Sequence, residues 1–276
     1  MKRFAWRAAT CTALLLASVV TYAAAHDLFL RPDTFFVAPG GTVSVSAFNG
    51  SFTASEASVT PDRLIDLSVT GPDGRAQAAI TSWKTSGNDT RWTAHVGAAG
   101  TYVLGASLKA RTIKLAAADF NKYLSEDGIP EVLAARRAAH ELTVPGRERY
   151  EKHVKALVQV GDAPSSSFGT VLGYPAELVP LDNPYVGSGA RTLRVRALVA
   201  GKPTPEQVVI LGGTDAKGRA IREQSVTTDH DGVARVRVEQ AGAYYVKFIR
   251  MVRIPASAHD SVDYHSRWAT LTFGVR

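Results

Sequence analysis

The sequence predicts a mainly β protein with two immunoglobulin-like or transthyretin-like β-sandwich domains joined by a helical insert. Two observations carry this prediction. Short segments such as 42–48 and 192–199 alternate apolar and polar residues with the period of two that is typical of half-buried strands. Turn residues such as Gly, Pro, Asn and Asp separate these segments, and between the two β regions the composition shifts to alanine and charged residues.

The first 25 residues have the pattern of a cleaved signal peptide. A basic start precedes an apolar run at 8–20 that is too short to span a bilayer, and Ala23 and Ala25 supply an A-x-A cleavage pattern. Cleavage after Ala25 makes His26 the first residue of the mature chain. We therefore expect a soluble protein exported to the bacterial periplasm.

Composition excludes several classes of function. Removing residues 1–25 lowers the formal net charge from +7 to +4, and no cluster of Lys and Arg resembles a nucleic-acid-binding arm. The single cysteine, Cys11, lies within the predicted signal peptide. The mature chain therefore has no disulfide, no thiolate metal ligand and no cysteine nucleophile.

The first sandwich is predicted for residues 26–114. A proline closes its first short strand, which fits a sheet edge, and the later strands are separated by Gly-, Pro- and Asn-containing turns. The predicted strands are 28–32, 42–48, 64–69, 92–96 and 101–104.

A helical connector is predicted for residues 115–177. The segments 116–124 and 129–140 are typical of helices. In a third segment, 147–157, the residues Tyr150, Val154 and Leu157 repeat at i, i+4 and i+7, which favours another helix. The second sandwich follows over residues 178–276, with strands expected at 178–181, 192–199, 208–211, 233–238, 244–249 and 268–273.

His26 is the first candidate metal ligand. At the start of a mature chain it carries two metal-binding nitrogens, the α-amine and a ring nitrogen, which together close a six-membered chelate ring. The alternative is that a signal peptidase simply tolerates histidine after the cut.

A second group of candidate ligands lies in the segment 259–265. His259 lies on a loop after a proline, and Asp263 and His265 share one face if the last strand begins early. Imidazole and carboxylate ligands suit nickel, zinc or copper. The alternative is a solvated loop. The predicted metal ligands are therefore His26, His259, Asp263 and His265.

The remaining histidines are weaker candidates. We expect His95 to be partly buried, His153 to lie on the surface of a charged helix, and His230 to belong to a hairpin turn. His140 and Glu141 begin a zincin-like pattern, but Val144 occupies the position of the second histidine. The sequence also lacks G-x-S-x-G, P-loop and G-x-G-x-x-G patterns. We therefore do not expect an enzyme.

Several segments together resemble a bacterial family. They are Ala25-His26-Asp27, the run from Leu178 to Tyr185, Gly201-Lys202-Pro203, the Thr228–Gly232 hairpin, Ala241–Tyr245 and the run from Trp268 to Phe273. The chain resembles exported bacterial proteins of largely unknown function, often described as periplasmic components of nickel or cobalt uptake. It departs from their pattern at Arg250 and His265, where many relatives have a histidine and an acidic residue.

The resemblance implies a nickel or cobalt ion as cargo and a membrane metal transporter as partner. The residues alone are equally compatible with copper or zinc. A competing hypothesis is a β-sandwich module that recognises a protein or a carbohydrate without metal. Nucleic acid is not an expected partner.

Overall fold

A computed structural model describes residues 26–276. The predicted signal peptide lies outside the described residues. The described chain is mainly β, as predicted, with three sheets and two α-helices. In chain order the elements are β1 (Asp27–Pro32), β2 (Phe36–Val37), β3 (Thr42–Gly50), β4 (Leu64–Gly71), β5 (Gly74–Gln77), β6 (Lys84–Ser86), β7 (Asp89–His95), β8 (Gly100–Leu108), β9 (Arg111–Leu115), α1 (Ala117–Glu126), α2 (Pro130–Ala138), β10 (Gly146–Val160), β11 (Ala176–Pro180), β12 (Arg191–Val199), β13 (Lys202–Pro203), β14 (Val208–Asp215), β15 (Ala220–Thr227), β16 (Val233–Val238), β17 (Gly242–Arg253) and β18 (Tyr264–Val275).

A ten-stranded central sheet connects the two sandwiches. Its main path is β15-β14-β17-β18-β10-β8-β4-β5, and β2 and β9 pair with β10. The first sheet has the order β1-β3-β7-β6, and the third sheet contains β11, β12, β13 and β16. Most pairs are antiparallel, but β10 and β18 run parallel in the middle of the central sheet.

Both faces of the central sheet are covered, and each cover forms a hydrophobic core. On the front face, which carries Val154 and Ala156 of β10, the first sheet packs through Leu30 and Val45. The helices α1 and α2 cover another part of this face, around Trp268. On the back face, which carries Leu157 and Leu271, the third sheet packs through residues such as Leu193 and Val236.

The helix predicted for residues 147–157 is wrong, because this segment lies within β10. The strand is buried on both faces over most of its length, so its apolar residues do not alternate with polar ones. Val154 points to the front face and Leu157 to the back face. In a strand that is buried on both faces, apolar residues occur at almost every position, including positions spaced as on one face of a helix. Periodicity alone therefore does not separate such a strand from a helix.

The other two predicted helices of the connector are confirmed as α1 and α2. Arg136 of α2 is buried and donates hydrogen bonds to Asn121 Oδ1 of α1 at 3.0 Å and to the carbonyl oxygen of Glu141 at 2.8 Å. These contacts hold the two helices and the following loop together. The domain boundaries at residues 114 and 177 remain predictions.

Side chains of the central sheet donate hydrogen bonds to the edge of β1 that is not paired with β3. The carbonyl oxygens of His26, Leu28 and Leu30 accept hydrogen bonds from the side chains of Lys152, Thr270 and Thr272. These acceptors are two residues apart, so they all point away from β3, the hydrogen-bonded neighbour of β1. The open edge of the first sheet is therefore fixed in register against the front face.

We expect Thr270→Val to lower the free energy of unfolding by about 1–3 kcal/mol, because the buried carbonyl of Leu28 would lose its donor. Thr270→Ser keeps the hydroxyl group and serves as the matched control. Urea denaturation of the wild type and both variants measures the effect. Equal stability of Thr270→Val and Thr270→Ser would contradict the role of this bond.

Candidate functional site

His26 immediately precedes β1, on the front side of the central sheet. Its Nε2 atom is 3.5 Å from Oε2 of Glu56, and the two side chains are 22% and 59% exposed. The backbone N–H of Glu56 donates to the carbonyl of Asn49 on β3, which holds this part of the loop beside β1. The imidazole is therefore accessible to solvent and faces a carboxylate through one ring nitrogen.

Lys152, on the front face of the central sheet, contacts the backbone of His26. Its ammonium group bonds the carbonyl oxygen of His26 and Oδ1 of Asn49, the latter at 3.2 Å. It also lies 5.1 Å from the ring centre of Trp268 and 5.3 Å from that of Tyr150. Burial lowers the pKa of Lys152 to about 8, although nearby acidic groups oppose the shift.

An ionic triad centred on a buried lysine holds the next residue, Asp27. The ammonium group of Lys247 on β17 lies 2.5 Å from Oδ2 of Asp27 and 2.8 Å from Oδ1 of Asp127, which follows α1. Burial raises the pKa of Asp27, and the charge of Lys247 opposes this shift. The start of the described chain is thus anchored to two strands of the central sheet by two buried lysines.

Of the predicted ligands in the loop before β18, Asp263 is bound to an arginine and His259 is exposed. Asp263 accepts two hydrogen bonds from the guanidinium of Arg147, at 2.6 and 3.0 Å, and these bonds keep the pKa of its carboxyl low. His259 is exposed and has a left-handed backbone conformation, with φ of 49°. Its neighbour Asp260 is bound to both terminal nitrogens of Arg149 at 2.8 Å.

The fourth predicted ligand, His265, meets a carboxylate that the sequence analysis did not single out. Its Nε2 atom lies 3.0 Å from Oε1 of Glu151 on β10. The Nε atom of Arg267 donates to the same oxygen at 2.9 Å. These three side chains share the back face of the central sheet, opposite to the face that carries Lys152.

His153 lies beside Glu151 on that face and corrects the prediction of a surface histidine. It is 1% exposed, its Nδ1 atom is 2.9 Å from the hydroxyl of Ser107, and its Nε2 atom is 3.7 Å from Oε2 of Glu151. The spacing Glu151-x-His153 places both side chains on one face of a strand. Sequence reasoning missed the pair because it assigned a helix there. His95, expected to be partly buried, is exposed at the end of β7.

The structure does not bring the four predicted ligands together. Among the described residues, one group of three has all its ligand atoms within 4.8 Å of one another, and it is Asp229, His230 and Asp231 in an exposed hairpin turn. Oδ1 of Asp229 accepts the backbone N–H groups of Asp231 and Val233, which is the geometry that closes such a turn.

A comparison with protein families identifies the chain's relatives. A model of a domain of unknown function, DUF4198, matches residues 23–251. The chain belongs to the DUF4198 family. This assignment confirms the predicted resemblance to a family of largely unknown function. No curated protein matches this DUF4198 member.

Three solved structures that are similar to the DUF4198 chain have low sequence identity to it. The D0-D1 domain of intimin is 13% identical, with 88% of this chain and 96% of that chain covered and a TM-score of 0.21. A DUF4785 family protein from Legionella pneumophila is 13% identical over 79% of this chain, with a TM-score of 0.25. The E. coli alpha-2-macroglobulin is 12% identical over 91% of this chain, with a TM-score of 0.24. The DUF4198 chain covers 50% and 14% of the last two proteins.

Within residues 26–276 the DUF4198 chain has two α-helices, α1 and α2. Over residues 26–276, neither helix has the length and apolar character needed to cross a bilayer.

Proposed function

We propose that the processed protein binds a divalent transition metal ion through His26 and delivers it as cargo in metal uptake. The observation that carries this proposal is the pairing of the His26 Nε2 atom with the carboxylate of Glu56. Histidines that bind metals commonly direct their second ring nitrogen at a carboxylate, which fixes the orientation and tautomer of the ring.

The contact with Glu56 involves one ring nitrogen of His26, and chelation uses the other. Glu56 faces Nε2 of His26, so the ring nitrogen that remains for chelation is Nδ1. Cleavage after Ala25 would create an α-amine on the same residue, and this amine closes a six-membered ring with Nδ1 around one ion. Two nitrogen ligands suit nickel, cobalt, copper or zinc.

The residues beneath His26 reduce the entropy lost when the chelate closes. The bond from Lys152 to the His26 carbonyl fixes the backbone of the ligand residue. The triad of Asp27, Lys247 and Asp127 fixes the next residue. A ligand that is already ordered binds an ion with less conformational cost.

The proposed site leaves most of the coordination sphere to water or to a partner. His259 and Asp263 do not contribute, because Asp263 is bound to Arg147 and His259 lies on another loop. An ion held by two nitrogens at an exposed chain end can be passed to a competing set of ligands. This property suits delivery to a membrane transporter in the periplasm.

The experiment compares two forms of the protein in calorimetric titrations with Ni²⁺, Co²⁺, Cu²⁺ and Zn²⁺. One form begins at His26, and the other carries one extra alanine before His26. We expect the extra alanine to abolish one binding event, because it moves the α-amine away from the imidazole. Equal titrations of the two forms would contradict a role of the amine.

Glu56→Gln provides the matched variant. It keeps the size of the side chain but removes the negative charge beside Nε2, so we expect weaker binding by about 10–100-fold, as for other groups that orient a metal ligand. If no ion binds to either form, the competing hypothesis of a metal-independent interaction module takes its place. A groove of about 890 Å³, lined by Arg31, Phe48 and Arg91, is then the first surface to test.

A further inference from the structure

A groove of about 890 Å³ lies between the first sheet and one end of the central sheet. Small residues on three neighbouring strands form its floor: Thr214 of β14 pairs with Ala243 of β17, and Ala243 pairs with Gly274 of β18. These residues leave the space above the central sheet unfilled. The volume is within the range of about 300–1,000 Å³ that is typical of sites for small ligands.

Arginine side chains line the groove. Arg31 on β1 pairs with Ser46 on β3, and Ser46 pairs with Arg91 on β7, so these residues form a row on one face of the first sheet. Arg276, which follows β18, lines the groove from the central sheet. Its guanidinium carbon lies 3.6 Å from the ring centre of Phe36. Both sheets therefore direct positive charge at the same space.

The two acidic residues of the lining already have arginine partners. Oδ2 of Asp215 is 2.7 Å from a terminal nitrogen of Arg219, in the turn between β14 and β15. Oδ2 of Asp33 is 3.5 Å from a terminal nitrogen of Arg91, and these two side chains are 56% and 59% exposed. Such an exposed pair contributes little to stability, so a ligand can replace it at low cost.

Arg31 lacks a counter-ion. It is half-buried and has no salt-bridge partner among the described residues. One terminal nitrogen donates to the carbonyl oxygen of Phe52 at 3.1 Å, and the guanidinium lies 4.9 Å from the ring centre of Phe52. Burial lowers the pKa of Arg31, and the charge of Asp33 opposes this shift. A guanidinium has five N–H donors, so most of them remain for a ligand.

We propose that this groove binds a ligand through its carboxylate groups, with Arg31 as the main contact and with Arg276 and Arg91 as further cations. The planar guanidinium matches the two oxygens of a carboxylate. The rings of Phe36 and Phe48 in the same lining suit the apolar part of such a ligand. The site is independent of His26, which does not line the groove.

Phosphate is the other anion that guanidinium groups bind. Phosphate sites commonly add the backbone N–H groups of a helix N-terminus to the cationic side chains. The residues that line this groove lie in strands and in the segments that connect them, and neither α1 nor α2 contributes to it. The lining therefore favours a carboxylate ligand.

The test uses the form with an extra alanine before His26, in buffers freed of metal ions, so that no carboxylate binds through a metal at the chain start. Calorimetric titrations with citrate and with hexaglutamate distinguish a free organic acid from an acidic peptide. We expect one binding site per chain for at least one of these anions and none for hexaglutamine. Binding of neither anion would overturn this proposal and leave the proposal for His26 untouched. Tighter binding of inorganic phosphate than of both carboxylate probes would overturn the choice of carboxylate.

Two substitutions in the lining locate the site. Arg31→Gln should weaken binding of the carboxylate probe at least about tenfold, because hydrogen bonds to a charged group are lost. Arg276→Gln should also weaken binding. It lies beyond the last strand, so it keeps the test decisive if Arg31→Gln disturbs the contact with Phe52. Circular dichroism checks the fold of both variants. Unchanged affinity in both would overturn the proposal.

Arg237→Gln is the matched control. It removes one positive charge from the third sheet, where the side chain of Arg237 is 64% exposed, so the net charge changes as in the other variants. We expect its affinity for the carboxylate probe to equal that of the wild type. A loss as large as that of Arg31→Gln would indicate general attraction to a basic protein and overturn the assignment of the groove.

Discussion

Lys155→Met is expected to lower the free energy of unfolding by about 3–5 kcal/mol, because it leaves a buried carboxylate without its cation. Lys155 and Glu177 form an ion pair whose side chains are 2% and 1% exposed. The ammonium group also donates to the carbonyl oxygens of Thr170 and Leu178, at 3.2 and 3.1 Å. Burial lowers the pKa of Lys155, and the interaction with Glu177 opposes that shift.

Urea denaturation monitored by tryptophan fluorescence measures this effect. The double variant Lys155→Met/Glu177→Leu should recover much of the loss, because neither charge remains buried. Arg194→Met is the matched control: Arg194 and Asp182 are 47% and 32% exposed, and an exposed pair contributes less than about 1 kcal/mol. A Lys155→Met variant as stable as Arg194→Met would contradict the assigned role.

Arg136→Lys is expected to lower the free energy of unfolding by about 2–4 kcal/mol, although it keeps the positive charge. The planar guanidinium donates to Asn121 Oδ1, to the hydroxyl of Tyr264 at 3.3 Å and to the carbonyls of Glu141 and Val144. It also lies 4.9 Å from the ring centre of Phe120. A lysine ammonium cannot reproduce this spread of donors, so buried acceptors would lose their partners.

Hydrogen exchange of residues 117–145, together with urea denaturation, measures the consequence. We expect faster exchange in both helices, because Arg136 connects α2 to α1 and to the following loop. Arg137→Lys is the matched control, since the neighbouring side chain is exposed and its change should stay within about 0.5 kcal/mol. Equal exchange in the two variants would contradict the role of Arg136.

The sequence predicted the strands that have one covered face more accurately than the strand covered on both. The segments 192–199 and 233–238 alternate clearly, and the structure has strands at Arg191–Val199 and Val233–Val238. β10 lost this alternation because the first sheet and the third sheet both cover it. Its pairing with β18 depends on residues more than a hundred positions away, and no local pattern encodes such a contact.

Candidate site residues were likewise missed where they depend on contacts between distant segments of the chain. His26 and His265 were predicted as ligands from their positions in the sequence, and their metal binding remains a prediction. Glu56, Glu151 and His153 were missed, because each becomes relevant only through a partner from another strand or loop. If residues 147–157 are assigned as a strand, the spacing of Glu151 and His153 places both side chains on one face.

The parallel pairing of β10 with β18 also has a consequence for how the chain folds. Both strands lie in the middle of the central sheet. β10 contributes to the cores under the first and third sheets, and β18 contributes to the core under the third sheet and to the one under the helices. The core under the third sheet cannot be completed until these two segments, distant in the sequence, have met, and such non-local pairing slows folding. We therefore expect slow folding, because the second sandwich depends on a pairing between strands more than a hundred residues apart in the sequence.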